Sequence, residues 1–306
     1  MAQLAVVGSL NMDMVNQVDE HPRPGETVRG WGTAYYPGGK GANQAVAAAM
    51  AGAQVRMLGA VGDDGFGSSL LEELTRRQVS TEHLLRKPVT SGMAFITVSR
   101  SGENSIILSE GANGLLTDQD AEQAVARGLL QGVSAVLLQN EIPWAVNVRI
   151  LELAAESGVP VYLNPAPATD VPEEQLRLVH TLVVNETEAA VISGAEARTP
   201  EEALLVAERL RVRGVRNVIV TLGEQGAVYA GEEGTLVQSA YKVEPVDTTA
   251  AGDTFIGVYA AARARGESAR SALDAASAAA ALAVTRRGAQ ESIPMWHEIA
   301  AFRQGT

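Results

Sequence analysis

The chain has 306 residues, 46% of them hydrophobic, enough to bury the core of one large domain or two ordinary ones. Its 24 Lys and Arg stand against 36 Asp and Glu, a formal charge of −12, which argues against a protein that tracks nucleic-acid phosphates or lies on an anionic membrane. With no cysteine, disulfides, thiolate metal sites and a catalytic thiol are excluded, and a reducing compartment, the cytoplasm, is the expected location.

The first eight residues carry no basic leader and read as a strand at 4–7, not as a signal peptide. Residues 14–36, with Pro22, Pro24, Gly25 and Gly30, are extended in type and break the pattern that follows. From there short apolar runs alternate with helical spacing: a helix at 42–50, a strand at 55–60 and a helix at 66–78. A hairpin is expected from 93–99 and 104–108, turning at Ser101, Gly102 and Glu103. Helices at 118–130 and 144–156 flank a strand at 135–138, with further strands at 159–163, 181–184 and 217–220. Helices at 186–192 and 200–213 separate the last of these, and an apolar strand follows at 227–230. Helices at 254–265 and 269–285 close the chain; the apolar run at 275–284 is shorter than the ~20 residues a bilayer needs. Gly52, Gly158 and Gly214 each sit where a helix would end on a left-handed residue. Short, almost wholly apolar strands between helices predict a mostly parallel sheet covered on both faces, a three-layer α/β/α fold in one domain spanning 1–306. The extended pieces at 14–36 and 93–108 would form a small β-sheet lid.

Five segments carry chemistry. Pro37-Gly-Gly-Lys-Gly-Ala-Asn43 opens a helix; it is neither a Walker A loop, since Lys40 is followed by Gly41, nor a dinucleotide fingerprint. It reads either as a flexible turn or as glycines that let the backbone approach a ligand while Lys40 and Asn43 supply donors. Asn11 and Asp13, two apart, would face the same way in an extended segment and suit vicinal hydroxyls, or merely stabilise a loop. At 246–255 the small residues Ala250, Ala251 and Gly252 run into a helix, so their N–H groups would form an anion site. A carboxylate there, Asp253, reads as a general base acting on a hydroxyl, or else as an N-cap. Asn185 and Glu188 are spaced for reciprocal helix capping and also for holding Mg²⁺ through its waters. Thr221, Gly223 and Gly226 form a glycine turn between strands, a plain hairpin or a shelf for a nucleotide.

With these come Asn-Pro-Ala-Pro at 164–167 and Val-Thr-Arg-Arg-Gly-Ala-Gln at 284–290, and the whole chain then resembles the ribokinase-like carbohydrate and nucleoside kinase family, motif by motif and in its order. The resemblance implies ATP-dependent phosphorylation of D-ribose at its 5-hydroxyl. It implies sugar contacts from Asn11, Asp13, Gly39, Lys40, Asn43 and Glu141 with Asp253 as base, and ATP contacts from Asn185, Thr221, Gly223, Gly226, Gly252 and Ser277. It further implies Mg²⁺ on the phosphates, and K⁺ beside the anion site at Asp247, Thr249, Ala283, Arg286, Gly288 and Ser292, mostly through carbonyls. A homodimer through the lid sheets is expected. The competing readings are a kinase of another pentose, deoxyribose or nucleoside, and a sugar or nucleotide sensor without catalysis.

Overall fold

The computed structural model describes residues 2–305. In chain order the strands are β1 (Gln3–Val7), β2 (Asn11–Val18), β3 (Gly30–Gly38), β4 (Gln54–Gly62), β5 (Val79–Lys87), β6 (Gly92–Val98), β7 (Asn104–Ser109), β8 (Ala135–Gln139), β9 (Val161–Asn164), β10 (Thr181–Asn185), β11 (Asn217–Thr221), β12 (Ala227–Gly231) and β13 (Gly234–Gln238). The helices are α1 (Lys40–Met50), α2 (Gly65–Arg76), α3 (Asp118–Ala126), α4 (Trp144–Glu156), α5 (Glu173–Leu176), α6 (Glu186–Ser193), α7 (Pro200–Val212), α8 (Ala251–Ala264), α9 (Ala269–Val284) and α10 (Trp296–Gly305).

Nine strands form one sheet in the order β13-β12-β11-β10-β9-β8-β1-β4-β5. All pairings from β11 to β5 are parallel, and β12 and β13 add antiparallel at one end. β1 shows why the strands read as unbroken apolar runs. Leu4 and Val6 point into one core layer with α1, α8 and α9, whereas Ala5 and Val7 point into the other with α3, α4 and α7. Each side of the sheet is therefore dry, and burial on both faces removes the polar alternation of a half-exposed sheet.

Four strands form a second sheet, β3-β2-β6-β7, in which β2 and β6 are parallel and the outer pairs antiparallel. The expected hairpin is present: Val98 faces Asn104 across a turn in which Gly102 has φ 87°. The sheet begins earlier than 14, because Asn11 and Asp13 are already residues of β2.

Several boundaries differ from the sequence expectation for local reasons. The helix expected over 118–130 stops at Ala126, where Gly128 takes φ 95°. The strand expected from 159 begins at Val161, after Pro160, whose ring leaves no N–H for a ladder. The helix expected from 254 starts at Ala251, three residues earlier. The helices ending before Gly52, Gly158 and Gly214 do so with φ of 90°, 68° and 113° at those glycines. The sequence expectation lacks β5, α5, β13 and α10; the two strands lie at the edges of the large sheet, where β5 mixes polar and apolar residues and β13 is only five residues long.

Candidate active site

The parallel strands place their carboxyl ends along one rim. Gly8 follows β1, and Gln139, Asn164, Asn185 and Thr221 are the last residues of β8, β9, β10 and β11. β1 lies between β4 and β8, where the direction of winding reverses, and open α/β sheets bind ligands outside the strand ends at such a point.

At this rim α1 begins. Gly39 is its N-cap with φ 90°, and a Cβ there would lie 2.8 Å from the backbone nitrogen of Asn11. A Cβ on Gly41 would come within 2.5 Å of the Ser9 nitrogen. These two glycines let the loop after β1 lie flat against the helix start. Glu141 completes the cap: its carboxylate accepts from Ser9 Oγ at 2.6 Å and from the Lys40 N–H at 3.0 Å. A carboxylate at a helix start is stabilised by the dipole, so Glu141 has a structural task whatever else it contacts. Lys40 sits at the first helical position, its ammonium held protonated by the field of the Asp253 carboxylate first, then Glu141 and Glu188, against the cost of burial.

α8 begins beside α1. Its N-cap is Ala250, in the left-handed region with φ 58° and without a side-chain cap. Asp253 is therefore not the N-cap; it is the third helical residue, buried at 6% exposure. Of the three amides expected to face outward, Ala251 N–H turns back to the Thr248 carbonyl at 3.3 Å. Those of Ala250 and Gly252 take no partner among the described residues, and a Cβ on Gly252 would meet no atom within 4 Å. The helix thus opens onto free space with unpaired donors and the positive end of its dipole, a setting for an anion.

The Asp253 carboxylate is held at both oxygens. Asn43 Nδ2 donates to Oδ2 at 3.1 Å and Gln44 Nε2 to Oδ1 at 3.0 Å. Asn43 Oδ1 is buried without a partner among the described residues, so it remains an acceptor. α8 reaches α1 closely because of Gly257, one turn below Asp253: a Cβ there would lie 2.6 Å from both Ala47 Cβ and the Gln44 carbonyl.

Asn11 and Asp13 approach from β2. Asn113, in the 3₁₀ turn Gly111–Leu115 that follows β7, spends its whole amide here: Oδ1 accepts from Leu10 N–H at 2.9 Å, and Nδ2 donates to the Leu10 carbonyl at 3.0 Å and to Asn11 Oδ1 at 2.8 Å. With its oxygen taken, Asn11 is left to present its N–H₂ as a donor. Asp13 packs on Gly38, whose Cβ would fall 2.2 Å from the carboxylate. Burial, then Glu141, Asp253 and Glu291, push the Asp13 carboxyl up to about 7.

The other expected residues lie further along the rim or behind it. Asn185 and Glu188 form a complete capping box on α6, Asn185 Oδ1 accepting from Glu188 N–H at 2.8 Å and Glu188 Oε2 from Asn185 N–H at 3.0 Å. Glu188 also accepts from Asn185 Nδ2 and Asn164 Nδ2, at 3.0 and 3.1 Å, so three of its four lone-pair positions are spent. One position suits a single contact, water-mediated in the expected Mg²⁺ arrangement, and is too few for bidentate chelation. Thr221 is the cross-strand partner of Asn185, and Gly223 and Gly226 close a tight turn in which Gly226 has φ 100°. Ser277 is buried on α9 and its side chain makes no hydrogen bond among the described residues. Asp247 joins two loops, accepting from Thr249 N–H and Oγ1 at 2.9 and 2.6 Å and from Gly288 N–H at 3.0 Å. The Ala283 carbonyl accepts from Arg286 N–H, and Ser292 Oγ donates to the carbonyl of Ala289, the residue that follows Gly288 in the second of these loops. Among the described residues no group of three or more carboxylate or imidazole side chains stands ready for a metal.

Ser9, Gln44, Asn113 and Gln139 adjoin the site but were not singled out from the sequence, and Asn164 stood there only as part of the motif at 164–167. The signal for Gln44 was present: it is the last polar residue of α1, standing immediately before the apolar run from Ala45 to Met50.

Comparison with known proteins accounts for this assembly. The sequence pattern of the family described as pfkB family carbohydrate kinase matches residues 1–296. The chain is 40% identical over 303 residues to the ribokinase of Bacillus subtilis (strain 168), covering 98% of each chain. It is 37% identical over 301 residues to the ribokinase of Haemophilus influenzae, covering 98% of this chain and 97% of the relative. The structure of Arabidopsis thaliana ribokinase complexed with ribose and ATP superposes with a TM-score of 0.91 at 32% identity, over 99% of both chains. The chain therefore belongs to the pfkB family of carbohydrate kinases.

Proposed function

We propose that this chain is an ATP-dependent sugar kinase that transfers the γ-phosphoryl group of ATP to the 5-hydroxyl of D-ribose. The observation that carries the reading is the start of α8, where a buried carboxylate, Asp253, lies within one turn of the unpaired Ala250 and Gly252 amides. Relatives that carry the name ribokinase over nearly the whole chain support ribose and ATP as the substrate pair.

Asn11, Asp13, Gly39, Lys40, Asn43 and Glu141 hold the sugar, with Asn11 donating to a hydroxyl oxygen and Asn43 Oδ1 accepting from a hydroxyl. Asp253 takes the 5-hydroxyl proton as that oxygen bonds to the γ-phosphorus. The bond from the γ-phosphorus to the β–γ bridging oxygen breaks, and ADP leaves with that electron pair. The free amides of Ala250 and Gly252 and the ammonium of Lys40 oppose the negative charge that spreads over the phosphoryl oxygens, without having to reorganise. Asn185, the turn from Thr221 through Gly223 to Gly226, Gly252 and Ser277 take the nucleotide.

Mg²⁺, when bound, neutralises phosphate charge, and Asn185 and Glu188 would hold it through water. K⁺ would be held by Asp247, Thr249, Ala283, Arg286, Gly288 and Ser292, with the Asp247 carboxylate joining the loops at 247–249 and 288. The four-stranded sheet acts as a lid that keeps water from competing with the sugar hydroxyl, and two copies pair through it. The composition supports a reducing compartment, the cytoplasm, and among the described residues no helix is long and apolar enough to cross a membrane.

A coupled assay of ADP release with ribose, 2-deoxyribose, fructose and adenosine, in K⁺ and in Na⁺, tests the reading. Ribose should be the preferred acceptor and K⁺ the better activator. Asp253→Asn should lower kcat by roughly 10²–10⁴-fold with ribose binding largely kept. A loss below tenfold would remove the base role.

A further inference from the structure

Beneath Asp253 lies a set of buried amides for which the reaction as described has no use. Gln44 is 0% exposed, and both the nitrogen and the oxygen of its side-chain amide are hydrogen-bonded within the site. Its Nε2 donates to Asp253 Oδ1 at 3.0 Å and, at 3.5 Å, to Asn164 Oδ1. Its Oε1 accepts from Gln139 Nε2 at 2.7 Å. The polarity of this chain follows from its end: an ionised carboxylate only accepts, so the Gln44 nitrogen must face Asp253, and its oxygen must then receive from Gln139. Gln139 gives this donor while its own Oε1 stays buried without a partner among the described residues. On the far side Asn164 Nδ2 donates to Glu188 Oε2, so a continuous line of hydrogen bonds runs from Asp253 to the cap of α6. Gln139 and Asn164 are cross-strand partners at the ends of β8 and β9, and Gln44 and Asp253 stand on packed helices. Every member is therefore anchored on regular structure, which places a side chain more closely than a loop does.

We propose that Gln44 is a positioning residue that fixes the plane of the Asp253 carboxylate and keeps it ionised for the sugar hydroxyl, with Gln139 holding the Gln44 amide in its donating orientation. The inference rests on the reading of Asp253 as the base. The charged groups acting on Asp253 from neighbouring elements are Lys40 on α1, Asp13 on β2 and Glu188 on α6. Glu141 and Glu291 act on Asp13 in turn. These are common to parent and variants, so the quantity that reports on Gln44 is the displacement of the acid limb of kcat between them.

The test is the pH profile of kcat for Gln44→Leu, Gln44→Glu and Gln139→Leu, with KM for ribose and ATP at each pH. Removing the donor in Gln44→Leu should lower kcat roughly 10–100-fold and move the acid limb up by about one pH unit, because the ionised base has lost a hydrogen bond. Gln44→Glu should move it further, since two carboxyl groups at this distance share a proton. KM for ribose should change less than about threefold, within the spread of an interaction made only in the transition state. Gln139→Leu, one step removed, should shift the limb in the same direction by less, and keeps the test open should Gln44→Leu fail to fold. An unmoved limb in the folded variants, or a loss confined to KM, would overturn the positioning role. Asp253→Asn separates the two claims: full activity there removes the base, whereas an inactive Asp253→Asn with unmoved Gln44 limbs removes only the positioning.

Discussion

Asp13 shows how much of the site's electrostatics is decided at a single side chain. Its carboxyl is raised to about 7 by burial and by Glu141, Asp253 and Glu291, so between the usual carboxylate range and neutrality the folded chain holds a proton that the unfolded chain has lost. Stability must therefore fall as pH rises through that window and level off above it. Asp13→Asn removes this penalty, and the gain in Tm over the parent should be larger at pH 8 than at pH 5 in thermal melts. An equal gain at both would mean that Asp13 is not raised. Ribose binding should move the opposite way, because the same substitution takes away an acceptor. On the proposed role of Asp13 in holding the sugar, this is a stability cost set against binding.

At the level of elements, the approach of α8 to α1 sets the distance between the base and its amide clamp. Gly257 permits it, and Gly257→Leu must push α8 away from backbone atoms of α1 that cannot move freely. The expected result is a loss of roughly 2–3 kcal/mol, a fall in Tm of several degrees, and a lower kcat through displacement of Asp253 one turn away. Gly65→Ala in α2, where an added Cβ meets no atom within 4 Å, is the matched control and should leave Tm unchanged or slightly raised. The sequence made most elements legible because buried parallel strands and alanine-rich helices leave strong apolar patterns, and glycines such as Gly52 and Gly158 punctuate them. It also marked the glycine motifs and Asp253. What stayed hidden were β5 and β13, edge strands without a continuous apolar run, and residues such as Asn113, which lies 103 positions from the Leu10 backbone it holds. Local propensity contains no term for such a pairing. The early start of α8 escaped notice for a related reason: it depends on a left-handed alanine, a conformation that only tertiary packing makes affordable.

For the molecule as a whole, the four-stranded sheet is the exposed part. β7 is open to solvent along its full length, and Ile106, Ile107 and Phe95 are 56%, 70% and 38% exposed. An edge strand of this kind is a template for a second chain unless something covers it. The parent should sediment as a dimer at micromolar concentration and Ile107→Lys as a monomer; a monomeric parent would remove the pairing proposal. β2 links that outer sheet to the site, because one strand carries Asn11 and Asp13 at its beginning and pairs with β6 along its length. On the proposed reading of Asn11 and Asp13, the residues that would meet the sugar therefore belong to the same sheet that carries the exposed edge, with only β6 between them.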